Sequence, residues 1–147
     1  MPEIFLLVAI TVIIALIFDF GNGMNDAANA IATVVATKVL SLRSAIILAA
    51  LGNFGGVFIF GVAVATTIAK GLVDPSIVNS YVILGGLVGS ILWVYIATFK
   101  GIPVSASHSL IGGFVGAAFV KAGVSSLKLA GIGKVLAFIV LAPLFGM

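Results

Sequence analysis

Two polar clusters interrupt an otherwise apolar chain, and both contain residue types that bind ions. The first cluster has two carboxylates and three amides: Asp19, Asn22, Asn25, Asp26 and Asn29. Asn22, Asp26 and Asn29 are four and three residues apart, so they share one face of a helix. Carboxylate and amide oxygens are hard ligands of the kind that sodium takes. The cluster therefore predicts a coupling-ion site made by Asp19, Asn22, Asp26 and Asn29, with Asp19 and Asp26 as sodium ligands.

The same residues could instead form a polar loop between two membrane spans. Two observations favour the ion site. The helical spacing continues to Thr33, inside the apolar stretch "AIATVVAT". A carboxylate within a membrane costs about 3 kcal/mol on insertion scales, so such a residue seldom lacks a function.

The second cluster is "GIPVSASHSLIGG", in which three serines and a histidine follow a proline: Ser105, Ser107, His108 and Ser109 after Pro103. Proline followed by small hydroxyl residues is typical of the first turn of a helix, where free N–H groups and the positive dipole end attract anions. The alternative is that the serines only cap the helix and that His108 is a packed polar residue. A cation site and an oxyanion site in one membrane chain suggest a symporter.

The composition indicates a membrane protein. Of 147 residues, 63% are hydrophobic and 7% are charged, against roughly 25% charged in soluble domains. Apolar runs cover residues 4–18, 45–69, 77–99 and 135–147, which predicts one multi-pass membrane domain over residues 1–147 in a lipid bilayer. There is no cysteine for disulfides or thiolate metal sites. The basic residues are scattered singly, which argues against nucleic acid as a partner.

These runs predict an all-α bundle with two irregular features. A helix over residues 4–18 is only about 22 Å long, and one extended to Thr37 would reach about 50 Å, so we expect a broken first helix near Gly21–Gly23. Unwound carbonyls there would add cation ligands. Because basic loops stay cytoplasmic, the connection with Lys121, Lys128 and Lys134 should lie on the side of Lys100. Residues 103–120 are therefore predicted to form a re-entrant helical hairpin.

Smaller signals concern packing and capping. Three pairs of glycines have GxxxG spacing, which predicts close helix packing: Gly52 with Gly56, Gly85 with Gly89, and Gly112 with Gly116. In "DPSI", Asp74 is expected to cap the third span and Pro75 to occupy its first position. His108 has no carboxylate, cysteine or second histidine nearby in sequence, so an enzyme is not expected.

The stretches "NGMNDAANAIATVVATKVLS", "AALGNFGGVFIFGVAVA", "GIPVSASHSLIGG" and "KVLAFIVLAPLFG" resemble the N-terminal half of the inorganic phosphate transporter (PiT) family. The resemblance runs from about Phe18 to the end. It implies phosphate uptake coupled to a cation across the plasma membrane, with no other cofactor, by two inverted repeats. It also implies a substrate and ion region that includes Asn25, and a phosphate-binding hairpin with Ser105, Ser107 and Ser109. We add His108 and Asn25 to the predicted phosphate ligands.

The sequence departs from the family because no second Asn-Asp motif occurs and the last apolar run has 13 residues. We therefore expect a fragment whose second repeat is absent, or halves supplied separately or by a second copy. Family members that use protons often carry histidine at the position of Asn25, so sodium is favoured over the proton. A permease for sulfate or a related oxyanion and a non-transporting membrane subunit remain alternatives.

Overall fold

A computed structural model describes residues 2–60, 70–102 and 104–146, and these residues form an all-helical structure. Its long helices, in chain order, are α1 (Pro2–Ala36), α2 (Leu42–Phe60), α3 (Ser80–Phe99), α4 (Ala106–Ala122) and α5 (Leu129–Gly146). Four of them, α1, α2, α3 and α5, are long and apolar enough to cross a membrane. The prediction of an all-α multi-pass bundle is confirmed.

Helix α1 is continuous for 35 residues, so the predicted break near Gly21–Gly23 is wrong. Inside a bilayer every backbone N–H and C=O group needs a partner, and a continuous helix supplies those partners within the segment. A glycine in a helix costs only about 1 kcal/mol relative to alanine, which is less than unwinding would cost there. The helix is about 52 Å long, and the unwound carbonyls expected as cation ligands are not available.

Helices α3 and α4 form a closely packed antiparallel pair. A Cβ on Gly86 would lie 3.0 Å from Cα of Phe114, and one on Gly113 would collide with the Gly86 carbonyl. Beside this contact, the buried Ser90 hydroxyl lies 2.6 Å from the Gly86 carbonyl and 2.9 Å from the Ser109 carbonyl. Close approach therefore depends on one glycine from each helix and on a serine that bridges them.

The predicted GxxxG pairs do not make this contact. A Cβ on Gly85 would lie 3.6 Å from the Ala117 Cβ, which is ordinary van der Waals contact. A Cβ would meet nothing within 4 Å at the other five positions: Gly52, Gly56, Gly89, Gly112 and Gly116. Five of these six glycines are exposed on the surface of the described structure, and Gly56 is half-buried. The helix-packing role predicted for the pairs is not realised within this part of the chain.

The connections on either side of the α3–α4 pair are joined to each other. The Asp74 N–H donates to the Ser126 carbonyl at 2.9 Å, and the Lys128 N–H donates to the Leu72 carbonyl at 2.8 Å. The Lys121 ammonium also reaches the Ile77 carbonyl at 2.7 Å. These bonds place the end of α4 at the start of α3.

This arrangement differs from the predicted re-entrant hairpin over residues 103–120. Pro103 lies outside the described residues, and from Ala106 the chain forms one helix that does not turn back on itself. Its far end lies at the opposite end of α3 from Lys100, so the lysine-rich connection does not return to the side of Lys100. A single helix can pack its small residues along α3 over its whole length, which two half-length segments could not do.

Asp74 caps a short 3-10 turn at Pro75–Ile77 and not the third span. Asn79 caps α3 instead, because its side chain accepts a hydrogen bond from the Val82 N–H at 3.1 Å. Val78 between them is extended, so the chain needs two caps where the sequence indicated one.

Candidate functional site

The polar face of α1 is oriented by its contact with α3. Phe18 is buried in a cluster with Leu87 and Val94, and Gly21 lies against the Tyr95 ring, so close that a Cβ would be 3.0 Å from the Tyr95 hydroxyl. Asn25 lies one turn further along the same face. Because Gly21 has no side chain, α1 can approach α3 closely at the start of the amide cluster.

Asn25 connects the two helices through its side chain. Its Nδ2 donates to the Gly21 carbonyl at 3.2 Å, and its Oδ1 accepts from the Thr98 hydroxyl at 3.3 Å. Thr98 also bonds to the Val94 carbonyl within its own helix at 2.7 Å. Sequence reasoning missed Thr98, because a threonine near the end of an apolar helix ordinarily satisfies its hydroxyl in this local way.

A cleft of about 310 Å³ opens beside this bond. Its lining residues come from α1, the end of α3 and the connection to α4: Asn25, Asn29, Thr98, Gly101, Ile102 and Val104. The cleft stops at Val104, one residue before Ser105. The fold therefore brings two amides of the first cluster to the segment that leads into the second cluster.

The serines of the second cluster occupy the first turn of α4. Ser105 caps the helix, with its Oγ accepting from the His108 N–H at 3.3 Å. Ser109 donates its hydroxyl to the Ser105 carbonyl at 2.7 Å. Ser105 therefore caps the helix, and Ser109 bonds to the backbone of its own helix. Ser107 is exposed and makes no side-chain hydrogen bond with the described residues.

Asn22 lies between the two aspartates of α1, three residues after Asp19 and four before Asp26. Residues at these spacings have Cβ atoms about 5–6 Å apart. The Asn22 Oδ1 is buried without a hydrogen-bond partner, while Asp19 and Asp26 are exposed on the surface of the described structure. Along the helix, an oxygen acceptor without a hydrogen-bond partner thus lies between two carboxyl groups. No group of three or more carboxylate, histidine or cysteine ligands occurs in the described residues.

His108 lies apart from these residues. It lines a different cleft, of about 430 Å³, between α4 and α5, together with Lys134, Phe138, Ile139 and Pro143. The first cluster and His108 therefore contribute to separate clefts in this structure, although Ser105 and His108 share one turn of helix.

The sequence and the structure of the chain are similar to those of known transporters. Residues 22–147 match the model described as the phosphate transporter family. The chain is 47% identical, over 90% of its length, to a protein of Rhizobium meliloti named probable low-affinity inorganic phosphate transporter. It is 46% identical, over 98% of its length, to a protein of that name in Bacillus subtilis.

A solved structure named the sodium-dependent phosphate transporter superposes on the chain with a TM-score of 0.85 and 33% identity. The match covers 93% of this chain and 35% of that one. The chain likewise spans 40% of the Rhizobium protein and 44% of the Bacillus protein. These relatives are transporters and not enzymes. The chain is a multi-pass integral membrane protein, and it belongs to the phosphate transporter family.

Proposed function

We propose that the chain forms part of a secondary active transporter that takes up inorganic phosphate with a cation across the plasma membrane. The observation that carries this proposal is the cleft beside Asn25 and Thr98, which joins the amide face of α1 to the segment leading into the serine turn of α4. A symporter needs a cation site and an anion site near each other, and this cleft adjoins one candidate for each. The names of the relatives support phosphate as the substrate.

Coupling-ion binding is assigned to Asp19, Asn22, Asp26 and Asn29. The buried Asn22 Oδ1 supports this, because an acceptor oxygen without a donor suits an ion that carries no proton. Asp19 and Asp26, one helical turn to either side, would supply the negative charge. One cation near each carboxylate is a simpler arrangement than one shared ion, since the two residues are about 10.5 Å apart along the helix.

Phosphate binding is assigned to Ser105, Ser107, Ser109 and Asn25. His108, the fifth ligand predicted from the sequence, is left out of this proposal because it lines the separate cleft between α4 and α5. Ser105 and Ser109 shape the first turn of α4, where backbone N–H groups are free to bind an oxyanion. Ser107 has an exposed hydroxyl that can donate directly. Asn25 faces the same region from α1. The Thr98 hydroxyl holds its Oδ1 and so orients the amide, and the Nδ2 N–H that is not bonded to Gly21 can donate to phosphate.

Sodium is the coupling ion in this proposal. Asn25 cannot titrate, so it cannot carry a coupled proton, and the superposed solved structure is named as sodium-dependent. A cation beside the α1 carboxylates would offset phosphate charge, and binding of both would permit alternating access. Because the chain spans less than half of the Rhizobium and Bacillus relatives, we propose that further helices, from a second repeat or a second copy, complete the site.

The test is uptake of labelled phosphate into proteoliposomes containing the protein expressed from its complete reading frame. We expect concentrative uptake with an inward sodium gradient, little uptake with a proton gradient alone, and weak competition by sulfate. Uptake that follows only the proton gradient would overturn sodium coupling, and stronger inhibition by sulfate than by unlabelled phosphate would favour the sulfate permease. Flux that never exceeds equilibrium would indicate a channel, and absence of flux would favour a non-transporting subunit.

A further inference from the structure

His108 shares its cleft with a proline that interrupts the hydrogen bonding of α5. Pro143 lies inside that helix and lines the same cleft of about 430 Å³ as His108 and Ile139. Proline has no N–H, so the Ile139 carbonyl, four residues earlier, loses its helical donor. On the α5 side, the cleft is therefore lined by the residue whose carbonyl lacks its helical donor, and on the α4 side it is lined by His108.

The free-energy cost of leaving the Ile139 carbonyl without a donor is higher in a membrane than in water, where water molecules would donate to it. Helix α5 is apolar enough to span a bilayer and is hardly covered by the rest of the described structure. A backbone carbonyl without a donor is costly in hydrocarbon, and a neighbouring side chain commonly supplies the missing bond. Of the residues lining the cleft, only His108 and Lys134 carry side-chain N–H groups.

Lys134 is the poorer donor for this carbonyl. It lies five residues before Ile139, about 7.5 Å nearer the start of α5, where a long ammonium side chain reaches toward the membrane surface. His108 lies in the first turn of α4, far from the short connection that joins the end of α4 to the start of α5, and it lines the cleft together with Pro143 near the end of α5. An imidazole N–H donates without bringing a net charge into the membrane.

We propose that His108 is a positioning residue whose imidazole N–H donates to the Ile139 carbonyl and ties the first turn of α4 to α5. Its contact with the serine turn is direct, since the His108 backbone N–H already donates to the Ser105 hydroxyl at 3.3 Å. The cleft must narrow for the imidazole bond to form, so the bond belongs to one conformation of the α4–α5 pair. Its effect on transport rests on the proposed function.

A double-mutant cycle tests the proposal. In Pro143→Ala the new backbone N–H can itself donate to the Ile139 carbonyl, so His108 is no longer required. We expect His108→Ala to lower the thermal unfolding midpoint and to raise the KM for phosphate about three- to tenfold. Both effects should largely disappear when Pro143→Ala is present. His108→Gln, whose amide can donate, should restore much of the loss.

Lys134→Gln is the matched control. Its effect on the unfolding midpoint should be the same in the parent protein and in the Pro143→Ala variant. Equal effects of His108→Ala in both backgrounds would overturn the proposal, and so would a His108→Gln variant as impaired as His108→Ala. A raised KM with an unchanged midpoint in both backgrounds would instead make His108 a phosphate ligand. The unfolding cycle needs no transport, so it decides the proposal even if phosphate uptake is never observed.

Discussion

The Thr98 hydroxyl lies 3.3 Å from Oδ1 of Asn25, and this bond joins the end of α3 to the polar face of α1. The two residues are 73 positions apart in sequence. The same hydroxyl lies 2.7 Å from the Val94 carbonyl, so its proton is shared between a local acceptor and a distant one. The bond from Thr98 thereby holds Asn25 in the lining of the cleft that ends one residue before the serine turn.

Thr98→Val should weaken phosphate transport without unfolding the protein. Valine keeps the shape of the side chain but cannot donate to Asn25, so the amide loses its orientation. A neutral hydrogen bond contributes about 1 kcal/mol, which corresponds to about a fivefold rise in the KM for phosphate. Thr98→Ser retains the hydroxyl and is the matched control. A Thr98→Ser variant as impaired as Thr98→Val would show that the hydroxyl is not responsible.

Asp26→Asn should abolish most cation-driven uptake while the protein still reaches the membrane. The change keeps the size of the side chain and removes its charge, and a neutral side chain inserts more easily than a carboxylate. We expect at least about a tenfold loss of sodium-driven phosphate uptake, since this loss needs only about 1.4 kcal/mol. Asp74→Asn removes a carboxylate from an exposed connection and serves as the control. Unchanged uptake in Asp26→Asn at equal membrane abundance would remove Asp26 from the coupling site.

Ser107→Ala should separate phosphate binding from helix capping. Ser107 has an exposed hydroxyl, whereas Ser105 uses its Oγ to cap α4. Loss of the Ser107 hydroxyl should raise the KM for phosphate and leave the unfolding midpoint unchanged. Ser105→Ala should also lower the midpoint, because loss of an N-cap costs about 1 kcal/mol. Equal midpoints in the two variants would contradict this division between the serines.

Gly113→Ala should destabilise the α3–α4 pair. The added methyl group would collide with the Gly86 carbonyl and the Ser90 hydroxyl, and overpacking of this kind typically costs about 1–3 kcal/mol. Gly112→Ala, at the residue before Gly113, is the matched control, since a Cβ on Gly112 meets nothing within 4 Å. Thermal unfolding in detergent should distinguish the two variants. A lower midpoint for Gly112→Ala than for Gly113→Ala would contradict the packing described here.

The sequence was sufficient for the helical class, the family and the two polar clusters, because hydropathy and motif spacing are local properties. It was not sufficient for the continuity of α1, since glycines inside a membrane helix permit a break without requiring one. The GxxxG pairs were misleading for a related reason. GxxxG spacing indicates that small residues lie on one face of a helix. Whether Gly85 or its neighbour Gly86 makes the close contact depends on how the partner helix α4 packs against α3. Thr98 could not be found because its role depends on Asn25, which approaches only in the folded chain.

Asp74 should make the stability of the connection between α2 and α3 depend on pH. The backbone N–H of Ser76 donates to Asp74 Oδ1 at 2.9 Å, and this bond, with the Ser76 hydroxyl and the nearby Lys128 ammonium, lowers the pKa of Asp74 below its ordinary value. A lowered pKa means that the folded state favours the carboxylate. The stabilisation is therefore present above the unfolded pKa and is lost as the pH falls through the lowered folded value.

Asp74→Asn keeps an acceptor for the Ser76 N–H but cannot titrate, and Asp74→Ala removes both the acceptor and the charge. We expect the unfolding midpoint of the parent protein to approach that of Asp74→Asn as the pH falls from about 5 to about 3, because protonation neutralises the carboxylate. At pH values above about 5, the unfolding midpoint of Asp74→Ala should be lower than that of the parent protein and that of Asp74→Asn. Since Asp74 N–H also bonds to the Ser126 carbonyl, the cap adjoins the bond that joins the ends of α3 and α4. A constant difference between the parent and Asp74→Asn across this range would show that the carboxylate charge does not stabilise the connection.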